Sequence, residues 1–191
     1  MDLEQKAIER IRLASDLSLK HYQQPLICTY SGGKDSDVML ELFKRSGVPF
    51  EVHNSHTTVD APQTVKHIRK VFAELSLKGI KCEIDYHAQS DGSRLTMWNL
   101  IPGKLMPPTR MVRYCCRNLK ESSCAGRYIA TGVRWAESTK RQGRKEFEKI
   151  GISAKTKDSF TSVMLMNDND AKRRMTEYCM QKKENGRKPD Y

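Results

Sequence analysis

The sequence predicts an α/β fold, a doubly wound, mostly parallel sheet with helices on both faces. Three observations carry this. Short apolar runs alternate with helical patterns from residue 26 to 134, the order expected of a parallel sheet with right-handed crossovers. The first run, Leu26-Ile27-Cys28-Thr29-Tyr30, feeds a glycine turn that opens a helix. The second run is followed by a polar cluster, His53 to Thr58, at the strand end where open parallel sheets bind ligands.

Taken in order, residues 3–22 form an amphipathic helix with Leu3, Ala7, Ile8, Ile11, Leu13 and Leu17 on one face. That face packs on the sheet or on a second copy of the chain, so a homo-oligomer is compatible with it. Pro25 ends the helix. Strands follow at 26–30 and 50–54, with a helix at 35–46 and a turn at Gly47-Val48-Pro49 between them. Asp60-Ala61-Pro62-Gln63 starts the next helix, with Asp60 as N-cap and Pro62 in its first turn. Lys78-Gly79 closes it. Residues 82–86 read as a third strand. Residues 93–101 read as a short helix with Leu95, Trp98, Leu100 and Ile101 facing inward, and Pro102-Gly103 breaks it. A basic helix spans 109–122, with Arg110, Arg113 and Arg117 on one face. Residues 127–133 read as a fourth strand and 161–166 as a late one. A last helix starts near Asp168 or Asp170.

Composition bounds the answer. A hydrophobic content of 38% suffices for one core, and 30% charged residues keep the surface solvated. No apolar run reaches membrane-spanning length, and the N-terminus lacks a secretory apolar block. The expected location is the cytoplasm, with no membrane partner and with the six cysteines reduced. Cys28 and Cys82 sit in apolar runs and read as core residues. The net charge of +11 is uneven. Residues 1–100 hold 13 Lys and Arg against 13 Asp and Glu, and residues 101–191 hold 21 against 10. A basic second half suits a polyanionic ligand, or nucleic acid, or simply a solvated surface.

The turn Ser31-Gly32-Gly33-Lys34-Asp35-Ser36 is the most informative stretch. Gly32 and Gly33 permit φ > 0 and close approach of another group. Their N–H groups and those of the first helical turn form an anion site aided by the helix dipole. Lys34 adds a compact charge, and Ser31 and Ser36 add hydroxyl donors. Asp35 or Asp37 could hold a metal such as Mg²⁺. This is not a Walker loop, because Cys28 stands where that motif needs glycine. A metal pair of His53 and His56 lacks acidic partners nearby in the sequence, and no metal site is expected from it.

The turn resembles the pyrophosphate (PP) loop of the adenine nucleotide alpha-hydrolase superfamily. A second stretch, Gly132-Val133-Arg134-Trp135-Ala136-Glu137-Ser138-Thr139-Lys140-Arg141, resembles a Gly-Ile/Val-Arg-x-x-Glu-Ser-x-x-Arg signature of the phosphoadenosine phosphosulfate (PAPS) reductase family. Cys115-Cys116-Arg117-Asn118-Leu119-Lys120 resembles that family's Cys-Cys-x-x-Lys region, with Leu119-Lys120 replacing the usual Arg-Lys, and Thr58-Val59-Asp60 matches more weakly its loop after the second strand. The resemblance covers about residues 25–141. It implies an adenine nucleotide or sulfonucleotide ligand, namely ATP, adenylyl sulfate (APS) or PAPS. Ser31, Gly32, Gly33, Lys34, Asp35 and Ser36 would meet phosphate oxygens. Asn54 and His56 would line the adenine and ribose pocket. Gly132, Arg134 and Arg141 would meet the remaining phosphate or sulfate.

The chain departs from that family in its cysteines. It has no Glu-Cys-Gly motif and no Cys-x-x-Cys, so a [4Fe–4S] cluster on Cys115, Cys116, Cys124 and Cys179 is disfavoured. Cys179 falls within the last predicted helix. Two enzymatic readings stand beside one without catalysis. The first is a reductase-like protein of sulfur transfer or sulfate reduction, implying a thioredoxin-like reductant. The second is an ATP pyrophosphatase-type sulfurtransferase or ligase modifying tRNA or DNA, with a persulfide on Cys115 or Cys116 and Lys34 at the phosphates. The third is a nucleotide-binding protein alone. Residues 1–141 are expected to form the nucleotide-binding domain, and 142–191 a basic C-terminal extension that ends with or before the complete protein.

Overall fold

The computed structural model describes residues 3–120, 123–124, 126–133, 147–151 and 159–164, with 148–151 and 159–164 as backbone only. The elements are α1 (Leu3–Tyr22), β1 (Leu26–Thr29), α2 (Lys34–Ser46), β2 (Phe50–Ser55), α3 (Pro62–Leu77), β3 (Cys82–Asp85), α4 (Met97–Lys104), α5 (Tyr114–Leu119), β4 (Tyr128–Thr131), β5 (Phe147–Gly151) and β6 (Ser159–Met164). They form an α/β doubly wound fold on one six-stranded sheet in the order β3-β2-β1-β4-β6-β5. Five strands run parallel, and β5 runs antiparallel to β6 at the edge.

The chain steps outward from β1 to β2 to β3, then returns across β1 to β4. Right-handed crossovers put the helices of the outward steps on one face and those of the return step on the other. The reversal makes β1 and β4 neighbours, and the crevice at their carboxyl ends is where such sheets bind ligands. Leu26, Cys28, Val52, Tyr128 and Ala130 fill the centre of the sheet. Met39, Phe43, Ile68, Phe72 and Leu75 cover it from α2 and α3. The α1 helix buries Ile8, Ile11 and Ala14 and packs on α2 and β1. A second cluster of Met97, Leu100 and Leu119 joins α4 to α5.

Several elements differ from the sequence expectation. Asp60 is not the cap of α3. Ala61 holds that place, and the Asp60 carboxylate turns back to accept from Thr57 Oγ1 at 2.6 Å and Thr57 N at 3.2 Å. The α4 helix starts at Met97 because Thr96 and Asn99 form a reciprocal capping box. It runs through Pro102 to Lys104. The later start rotates the face, so Met97 and Leu100 are buried while Trp98 is 72% exposed. Residues 109–113 are not helical. Thr109 Oγ1 accepts from Val112 N, and α5 begins only at Tyr114, so Arg110 and Arg113 do not share a helix face with Arg117. Leu3 is exposed at the end of α1. β5 was not anticipated, and it joins the sheet with β6 from beyond residue 141. The predicted helix after Asp168 lies outside the described residues.

Candidate functional site

A cleft of about 640 Å³ opens at the carboxyl ends of β1, β2 and β4. Ser31, Gly33, Lys34, Asp35 and Ser36 form one wall of it. The turn is built for close approach. Gly32 has φ +73°, and a Cβ there would lie 2.8 Å from Ile68 Cγ1 and 3.1 Å from Thr64 Cγ2. Only glycine lets α3 sit so near the turn. Gly33 is the N-cap of α2 and provides no side-chain cap. The first-turn N–H groups have no acceptor within their own helix and open onto a cleft at the positive end of the dipole. Ser36 is buried, and its hydroxyl donates to the Gly33 carbonyl at 2.7 Å. Lys34 is exposed and forms no ion pair among the described residues.

Two residues behind the turn hold it to the sheet. Asn54 Nδ2 donates to the Tyr30 carbonyl at 2.8 Å, and Thr29 Oγ1 donates to the Ala130 carbonyl at 2.7 Å. The Tyr30 hydroxyl donates to Asp37 and lies 3.0 Å from His67 Nε2. Burial, followed by the Asp37 carboxylate, pushes the phenol above its ordinary range. Asp37 is thus engaged by Tyr30 and His67.

Asn54 and Gly132 also line the cleft, and an added Cβ at Gly132 would rest 3.5 Å from the Asp35 carbonyl. His56 does not line it. Its ring packs on Tyr86 with centroids 5.5 Å apart, and its Nδ1 accepts from Thr58 N. Cys115 and Cys116 sit on α5 outside the lining. Their sulfurs are 4.0 Å apart, Cys115 packs against the α4–α5 cluster, and Arg113 approaches Cys116 Sγ at 3.3 Å. Burial, then the neighbouring Cys116, raises the Cys115 thiol. Arg134, Arg141 and Cys179 lie outside the described residues.

Thr57, expected in the polar cluster after β2, lines the cleft, while sequence reading missed three other lining residues: Asp60, Lys120 and Ser123. They come from two loops, after β2 and after α5, and nothing local marks their place in the cleft. It also missed the partners of His53. That imidazole is buried at the border of the cleft, with Nδ1 3.5 Å from Asp85 Oδ1 and 3.6 Å from Cys124 Sγ. Its Nε2 lies 3.3 Å from Glu51 Oε2. Burial disfavours the charged imidazole, but the Asp85 and Cys124 contacts outweigh it and raise the pKa to about 10. Burial also works against ionised Glu51, yet His53, Arg127 and Lys81 hold it below the usual carboxylate range.

No protein-family model matches the chain, and no curated protein matches its sequence. Among solved structures, it is similar to the crystal structure of phosphoadenylyl-sulfate (PAPS) reductase from Candida auris, a phosphate complex. The TM-score is 0.50 at 17% identity, covering 90% of this chain and 78% of that one. The likeness shows the fold. Among the described residues, no helix is long and apolar enough to cross a membrane.

Proposed function

We propose that the chain binds an adenine nucleotide or sulfonucleotide in this cleft and acts in sulfur transfer or sulfate reduction. The observation that carries the reading is the α2 N-terminus, left without a side-chain cap behind a glycine-only turn, inside a cleft at the strand-order reversal. Helix N-termini of this kind take phosphate, and the cleft falls within the about 300–1,000 Å³ usual for small ligands. The solved reductase of the same fold is a phosphate complex, which supports a phosphate group here.

In this reading the first-turn N–H groups and Lys34 take phosphate oxygens, and Asn54 keeps the turn in place. Arg134 and Arg141 meet the remaining phosphate or sulfate. Reduction of a sulfonucleotide would need an exposed, activated thiolate at the sulfur and a thiol reductant. One observation favours the second reading, an ATP-using sulfurtransferase or ligase acting on a nucleic acid. Asp35 and Asp60 both line the cleft, and carboxylates there suit Mg²⁺ on a triphosphate.

Calorimetry with ATP, APS, PAPS and adenosine tests the proposal. At least one phosphorylated ligand is expected to bind tightly, adenosine weakly, with inorganic phosphate competing. Equal binding of adenosine, or none by any of the three, overturns it. Mg²⁺-dependent release of pyrophosphate from ATP selects the second reading, and thiol-dependent sulfite release the first.

A further inference from the structure

Beside the cleft, three side chains from three separate segments converge on one point. His53 Nδ1, an Asp85 carboxylate oxygen and Cys124 Sγ all lie within 4.8 Å of one another. His53 Nδ1 lies 3.5 Å from Asp85 Oδ1 and 3.6 Å from Cys124 Sγ, and Cys124 Sγ lies 3.9 Å from the other carboxylate oxygen, Asp85 Oδ2. Nitrogen, oxygen and sulfur donors at ordinary zinc bond lengths in a tetrahedron stand about 3.3–3.6 Å apart. Both separations from His53 Nδ1 fall in that range, and a rotation of the Asp85 carboxylate brings one of its oxygens toward both partners.

A second feature is independent of those distances. The other ring nitrogen of His53, Nε2, faces Glu51 at 3.3 Å. Glu51 is itself buried, 3.4 Å from Arg127 and 3.3 Å from Lys81. A carboxylate accepting from the far nitrogen orients the ring with Nδ1 toward Asp85 and Cys124, as the partners of metal-binding histidines do. Cys124 also holds a left-handed backbone, φ +61°, although it is not glycine. Such a conformation persists where its surroundings impose it.

We infer that His53, Asp85 and Cys124 form a Zn²⁺ site, with Glu51 orienting His53 from behind. The donor set of one imidazole, one thiolate and one carboxylate suits Zn²⁺ over Mg²⁺ or Ca²⁺, which take oxygen donors. On binding, the metal replaces the protons on the thiol and on Nδ1, and both leave to solvent. Three protein ligands leave a fourth position for water. His53 lines the cleft, so the metal lies at its border. The site stands apart from the nucleotide reading and needs no nucleotide for its test.

The experiment uses the full chain, stripped of metal and kept reduced, with Zn²⁺ and Co²⁺ alone as probes. Zn²⁺ is expected to bind at one per chain in competition with a chromophoric chelator. Co²⁺ is expected to give a thiolate charge-transfer band and the strong visible bands of tetrahedral cobalt. Cys124→Ser should abolish the charge-transfer band and weaken Zn²⁺ by at least about 100-fold, while Glu51→Gln weakens it about 10–100-fold and keeps the band. Cys124→Ser lies in a loop and keeps the test open if Glu51→Gln fails to fold. The double variant Cys115→Ser, Cys116→Ser should leave both readouts unchanged. Absence of stoichiometric Zn²⁺, or a band that survives Cys124→Ser, overturns the inference. Rapid alkylation of Cys124 without any zinc binding also overturns it and marks a reactive thiol instead.

Discussion

Two polar clusters sit at the same end of the sheet and are built in opposite ways. Ser31 to Ser36 is six consecutive residues, and its geometry needs only a strand, a turn and a helix in that order. The His53 cluster draws on β2, β3 and the segment before β4, with His53 and Cys124 71 positions apart. It needs the register in which His53 pairs with Glu83, which puts Asp85 two residues on along the same face, a diagonal neighbour. It also needs the chain to return past β1 before β4. A contiguous site carries its chemistry in its own spelling. An assembled site carries it in the topology.

The largest expected effect breaks the contiguous cluster. Gly32→Ala places a Cβ into Ile68 in a left-handed backbone, adding about 1–2 kcal/mol of conformational cost to about 1–3 kcal/mol of overpacking. A stability loss of about 2–5 kcal/mol by denaturant titration is expected. Gly132→Ala, whose Cβ would meet only an ordinary 3.5 Å contact, should change stability by under about 1 kcal/mol. Equal losses for the two would mean that the turn does not depend on Gly32.

Next is Lys34→Ala. The side chain is exposed, so stability should hold while nucleotide binding weakens by about 1.5–3 kcal/mol, the range for a hydrogen bond to a charged group. Calorimetry on a variant with native circular dichroism reads this. Unchanged affinity removes Lys34 from the phosphate site.

Asn54→Ala tests the support that β2 gives the turn. It strips the Tyr30 carbonyl of a buried donor. An unsatisfied carbonyl costs about 1–3 kcal/mol. Water in the adjoining cleft can replace part of the bond, so a loss of about 1–2 kcal/mol is expected. A neutral result would show that the turn stands without β2.

The strands from β1 to β4 and the helices α1 to α3 were legible because each carries its own period and its own punctuation, such as Pro62 at the start of α3 and Gly47 after α2. The glycine turn was legible for the same reason. What was not legible lies mainly in the return crossover between β3 and β4. Its capping box at Thr96, its broken helix before Tyr114 and its placement of Lys120, Ser123 and Cys124 depend on packing against distant strands. Of the two acidic partners of His53, Glu51 is a near neighbour in the sequence that was passed over, and Asp85 comes from the adjacent strand, where only the register brings it close. β5 was hidden because an edge strand with mixed polar residues leaves no clear period.

The smallest expected effect sharpens the account of that crossover. Helical periodicity counted from residue 93 turns Trp98 inward. The capping box at Thr96 starts the helix later and turns it outward, to 72% exposure. Trp98→Ala should therefore change stability by under about 0.5 kcal/mol, as surface substitutions do. The neighbouring Leu100, 9% exposed and packed with Met97 and Leu119, lies on the opposite side of the same account. Leu100→Ala empties part of a small cluster and should cost about 2 kcal/mol, the low end for a buried leucine. Thermal melts of the two variants side by side separate the registers. A larger loss from Trp98→Ala than from Leu100→Ala would restore the inward tryptophan and move the start of α4 back toward residue 93. Thr96→Ala then gives the same answer from the backbone. It removes a cap worth about 1 kcal/mol only if the helix begins where Thr96 Oγ1 accepts from Asn99 N at 3.2 Å.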